Sequence, residues 1–134
     1  CRPLLTVPEG ASQFKHALLA YDGSDRAKEA LFVATYLAEM WHTKLTVFTA
    51  LKDAGIKADV QDYVRRYFDI HEVQAEFIIA KENSSRQLHD VAMERNADLI
   101  MMGSHGKSKL HQVFVGSTVD RTLRESTIPT FICR

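Results

Sequence analysis

Strand-like and helix-like segments alternate along almost the whole chain, and that alternation leaves few folds open. His16 to Tyr21 is a short apolar run closed by the turn signal Asp22-Gly23-Ser24. Apolar residues then fall at Ala27, Ala30, Leu31, Ala34, Leu37 and Ala38, the spacing of an amphipathic helix, with Ser24 or Asp25 placed to cap it. Lys44 to Ala50 is a second strand, and residues 56–69 form a weaker helix with Val60, Val64 and Phe68 on one face. Val73 to Ala80 is a third strand, and Ser84 or Ser85 caps a helix carrying Leu88, Val91 and Ala92. Leu99 to Met102, Ser117 to Glu125 and Pro129 to Cys133 complete the series as strand, helix and strand. Alternation of this kind predicts an α/β fold: a five-stranded parallel sheet with helices on both faces and right-handed crossovers, Rossmann-like in plan. Ligands of such folds bind beyond the carboxyl ends of the strands, where the strand order reverses. The Asp22 turn and the segment after Leu99–Met102 both fall at that edge.

That second segment carries the most specific motif. Gly103, Gly106 and Gly116-Ser117 read as Gly-x2-Gly-x9-Gly-[Ser/Thr] between a strand and a helix. The first N–H groups of a helix have no partner within it, and its dipole is positive there, so a glycine loop entering a helix is suited to anions. Glycine also lets the backbone approach a phosphate closely. The expected ligand is therefore a phosphate, carried on a nucleotide. Gly106-Lys107-Ser108 imitates the end of a Walker loop, but the glycine that pattern needs is replaced by Met101.

Bulk properties narrow the class. With 134 residues the chain is most simply one core-forming domain. Lysine plus arginine and aspartate plus glutamate both number 17, and this zero net charge speaks against a nucleic-acid module. The apolar runs fall far short of the roughly 20 residues that span a bilayer, so no membrane role is expected. Cys1 and Cys133 make no disulfide framework and fit free thiols in a cytoplasmic setting. No metal-ligand spacing is present.

The N-terminus holds a faint repeat. Arg2-Pro3-Leu4-Leu5-Thr6-Val7 parallels Ile128-Pro129-Thr130-Phe131-Ile132-Cys133, and Pro8 to Gln13 reads as a linker. Residues 1–10 are thus expected to be the last strand and linker of a preceding domain of the same kind, and residues 11–134 the domain proper.

On these motifs the chain resembles the universal stress protein family. The resemblance runs from residue 14 to residue 134 and rests on Ala17-Leu18-Leu19-Ala20-Tyr21-Asp22-Gly23-Ser24, the Gly103 to Thr118 motif and the Ile128-Pro129 strand. It implies the fold of adenine nucleotide alpha hydrolase-like proteins and, through the glycine motif, the branch that binds ATP. In this likeness Asp22 contacts ribose or adenine, and the backbone of Ala50 holds the adenine edge. Gly103, Gly106 and Gly116 admit the phosphates, and Lys107, Ser117 and Thr118 bind them. The implied ligands are ATP, AMP or ADP, with Mg²⁺ carried on the phosphates. Lys109 stands where members often have a small residue. The terminal strand Thr130–Cys133 implies pairing, either as a homodimer or with the Leu4 to Val7 strand.

The residues suggest no arranged acid, base and nucleophile, so no catalytic residue is assigned and hydrolysis is expected to be slow at most. Two other readings remain open. A nucleotide hydrolase or phosphotransferase would have to draw its base from His105 or His111, and an interaction-only module would bind no nucleotide.

Overall fold

A computed structural model describes residues 3–10, 12–51, 59–80, 85–104 and 117–134, with Ser85 and Ser117 described by backbone alone. The elements run β1 (Leu4–Thr6), β2 (His16–Ala20), α1 (Asp25–Trp41), β3 (Lys44–Ala50), α2 (Val60–Ile70), β4 (Ala75–Ala80), α3 (Ser85–Glu94), β5 (Leu99–Gly103), α4 (Ser117–Glu125) and β6 (Thr130–Cys133).

One sheet joins all six strands in the order β1-β6-β5-β2-β3-β4. The expected parallel strands are present: β2 pairs with β3 and β5, β3 with β4, and β5 with β6, all parallel. The expectation of five strands needs correction, because β1 adds a sixth, antiparallel to β6. Its register sets Leu4 against Ile132, Leu5 against Phe131 and Thr6 against Thr130. The cause is the open edge of β6, whose unpaired N–H and C=O groups accept any extended apolar segment that reaches them.

Alternating side chains give the sheet two apolar faces. Ala17, Leu19, Leu45, Val47, Leu99 and Met101 pack with Ala30, Leu31 and Ala34 of α1 and Val64 and Phe68 of α2. Leu18, Phe48, Ile100, Met102 and Ile132 pack with Leu88 and Ala92 of α3 and Val119 of α4. Burying one such side chain contributes about 1.5–3 kcal/mol, so both faces must be covered. β5, central and flanked on both sides, has four buried residues in a row (Leu99–Met102), as expected of a strand buried on both faces. The outer strand β4 is shielded at one carbonyl, where Gln61 of α2 donates Nε2 to the oxygen of Ile78 at 3.0 Å.

The amino ends of the strands are pinned by Asp98. Its carboxylate accepts the N–H of His16 at 2.8 Å and of Lys15 at 3.0 Å. Burial works to raise its pKa, but the bonds from His16 and Lys15 prevail and hold it below the usual aspartate value.

Candidate functional site

β2 is the point from which the order runs outward both ways, so β5 and β3 are its two neighbours and lie on opposite sides of it. Beyond its carboxyl end the Asp22 turn, the end of β3 and the end of β5 meet. The sequence placed Asp22 and the glycine segment at one edge, and the topology makes their strands immediate neighbours.

Asp22 is held by local chemistry. Its Oδ1 accepts the N–H of Ser24 at 2.9 Å, closing an Asx turn across Gly23, whose φ of 77° suits glycine. Ser24 then caps α1, its hydroxyl accepting the N–H of Ala27 at 3.2 Å. Asp22 is half-buried, and within the described residues its Oδ2 makes no hydrogen bond. Tyr21, just before it, is buried. Its hydroxyl has no partner among the described residues, and burial, with Tyr63 and Asp22 adding to it, pushes the phenol up to about 12. It therefore stays protonated across the physiological range.

The β2–β3 ladder ends here in an unusual way. Tyr21 N–H donates to the carbonyl of Phe48 at 2.9 Å, and on the other side Leu51 N–H donates to Ala80 at 2.8 Å. Backbone groups in a parallel strand alternate sides, so the N–H and C=O of Ala50 point toward β2. The next ladder bond would run from Ala50 N–H to Tyr21 C=O, and it is not made. The Tyr21 carbonyl is taken instead by the buried hydroxyl of Thr49, at 2.8 Å. Among the described residues the N–H and C=O of the half-buried Ala50 therefore stay outside the ladder, a donor and an acceptor past the end of β2.

Gly103 closes β5 and meets a second demand. A Cβ placed there would stand 2.7 Å from Ala27 N and from Arg26 C. Only glycine lets the first turn of α1 sit on the end of β5. The following residue, Ser104, is buried, and its N–H donates to the Cys133 carbonyl at 2.7 Å. Cys133 is free and buried. Burial pushes its thiol up, Glu29 adds to the shift and Arg26 opposes it.

The remaining expected site residues divide. Ser117 opens α4 as predicted, and Thr118 in the first turn is half-buried. Gly106, Lys107 and Gly116, with His105, Lys109 and His111, lie outside the described residues. Thr49 was not singled out from the sequence. Its bond spans 28 residues, and nothing local marks a threonine at a strand end as special. Among the described residues no group of three His, Cys, Asp or Glu side chains is placed to hold a metal ion, and no helix is long and apolar enough to cross a membrane.

Comparison with known proteins gives a consistent picture. Residues 51–134 match the universal stress protein family. A universal stress protein of Thermus aquaticus is 30% identical over 142 residues, covering 90% of this chain and 99% of that protein. The crystal structure of a universal stress protein from Archaeoglobus fulgidus superposes with a TM-score of 0.82 at 24% identity, covering 98% of this chain and 49% of that one. This chain therefore spans about half of the Archaeoglobus protein. A universal stress protein solved in complex with cAMP superposes with a TM-score of 0.71 at 22% identity, over 90% of this chain and 96% of that one.

Proposed function

The chain belongs to the universal stress protein family, and from that premise we propose that it is an ATP-binding domain of the family's nucleotide-binding branch, a regulatory module in stress response with slow hydrolysis at most. The observation that carries this reading is the off-ladder edge of Ala50, beside the Asp22 turn and across β2 from Gly103. An N–H beside a C=O matches the N1 acceptor and 6-amino donor of adenine, and mismatches guanine, whose N1–H and O6 are reversed. The cAMP complex of a related fold agrees with an adenine ligand.

In this reading Asp22 accepts from the ribose hydroxyls through Oδ2. Gly103, Gly106 and Gly116 admit the phosphates to the N-terminus of α4, where Ser117, Thr118 and Lys107 bind them. Mg²⁺, held on the phosphates, would supply the remaining neutralising charge. Occupancy acts as a signal to the extent that ATP binds two states of the protein with different affinity. A cytoplasmic setting belongs to the same reading.

The reading extends to the N-terminal strand. β1 occupies the place of a second β6, with Leu5 opposite Phe131 at the centre of the pairing. We take it as the last strand of a preceding domain, so that the two domains pair through Thr130–Cys133, as two copies would in a homodimer. Removing residues 1–10 uncovers β6 and should yield a dimer by sedimentation; unchanged mass would sink this part.

The nucleotide site is tested by thermal melting with and without Mg-ATP. At ligand near 100 times its Kd, binding adds about 2.7 kcal/mol, a Tm rise on the order of 10 °C for a domain of this size. Gly116→Arg should abolish the rise by blocking the phosphates. No rise at millimolar nucleotide in the unmodified chain sinks the proposal.

A further inference from the structure

We infer that Thr49 is a positioning residue for the base edge of this site: its hydroxyl takes the Tyr21 carbonyl and so keeps the Ala50 N–H out of the sheet ladder and available to a ligand. The inference rests on the nucleotide reading above and adds to it the device that keeps the edge open.

The argument is one of hydrogen-bond accounting. A buried carbonyl must find a donor, and two donors stand next to the Tyr21 oxygen in sequence register. One is the Ala50 N–H, which a continued parallel ladder would supply. The other is the Thr49 hydroxyl, which supplies it at 2.8 Å. Thr49 is 1% exposed, so water does not compete for its hydroxyl. The Tyr21 N–H to Phe48 bond one step earlier is intact at 2.9 Å, so the strands separate at this residue and not before. A residue without a hydroxyl would leave the carbonyl unpaired, and the adjacent Ala50 N–H would swing in to satisfy it. The ladder would then extend by one bond and the edge would lose its donor.

The group served is therefore a ligand atom that accepts a hydrogen bond in the plane of the sheet, the ring nitrogen of a purine with a neighbouring amino group. Thr49 touches no ligand in this account. It acts only through Tyr21 and Ala50.

The test uses the 134-residue chain and three proteins: unmodified, Thr49→Val and Thr49→Ser. Two readouts are taken, titration calorimetry with Mg-ATP and hydrogen exchange of the Ala50 amide by NMR without nucleotide. Thr49→Val should bind Mg-ATP at least tenfold more weakly and exchange the Ala50 amide at least tenfold more slowly. Thr49→Ser keeps the hydroxyl and should stay within about threefold of the unmodified chain in both. A merely structural threonine would lower Tm without slowing exchange at Ala50. If the unmodified chain binds and Thr49→Val matches it in affinity and exchange, this inference falls and the nucleotide site stands. If the unmodified chain binds no nucleotide, both fall. A Thr49→Val protein that does not fold also overturns it, since the Ala50 N–H should have replaced the lost donor.

Discussion

Two aspartates mark the two ends of the sheet, and they are used differently. At the amino edge Asp98 accepts from both His16 and Lys15. Around it Lys44 N–H donates to Lys15, Asp98 N–H to His16 and the Thr43 hydroxyl to Phe14, all within 2.8–2.9 Å. The protein satisfies itself there. At the carboxyl edge Asp22 spends one oxygen on Ser24 N–H, and Ala50 presents an N–H and a C=O outside the ladder. In a parallel sheet both ends start with the same unpaired backbone groups. The difference separates an edge that the fold closes with its own groups from one that it leaves open among the described residues, the edge where ligands of such folds bind.

The comparison can be broken most forcefully at Gly103. Replacing it with valine drives a Cβ into the backbone of Arg26 and Ala27, with no flexible side chain to give way. Overpacking of this kind costs about 1–3 kcal/mol, and the contact with backbone sets the expectation at the upper end. Urea denaturation measures it. A loss below roughly 0.5 kcal/mol, the range of ordinary surface substitutions, would mean α1 is not fixed by β5.

Next comes Asp98→Asn. The amide keeps one acceptor and turns the other into a donor facing an N–H, so one bond and the charge are lost. For this half-exposed group, solvent screening reduces the expected cost to about 1 kcal/mol at pH 7. The sign of its pH dependence follows from the lowered pKa of native Asp98. Its contribution is fully present above the unfolded aspartate value of about 3.9 and is lost as pH falls through the lower native value. The stability gap between the two proteins should stay constant from pH 7 to 5 and close below about pH 4. A gap that widened in acid would refute the role given to Asp98.

The smallest stability effect is expected at Asp22→Asn. Asparagine also forms Asx turns, so stability should change by less than about 0.5 kcal/mol. Mg-ATP affinity should nonetheless fall under the proposed nucleotide reading, because an amide N–H then replaces the charged oxygen assigned there to the ribose hydroxyls. Equal stability losses for the two aspartate variants would erase the contrast between the edges.

The sequence by itself determined what local chemistry controls. Helix α1 with its Ser24 cap, the Asp22 turn and the start of α4 at Ser117 depend on partners within about four residues, and the buried β5 shows as an unbroken apolar run, so all were legible. The element order also fixed which turns share an edge. Tertiary structure alone decided the rest. The sequence offered the Leu4 to Val7 strand as one of two partners for Thr130–Cys133, and only the fold made that pairing between residues at opposite ends of the chain; the packing of Gly103 under Arg26 depends on where a helix from the first half settles. The Thr49 bond to Tyr21 depends on two strands parting one residue early. These features arise from segments far apart in sequence competing for the same buried hydrogen bonds and space. No periodicity or motif records the outcome of such a competition, so it is settled only when the chain is folded.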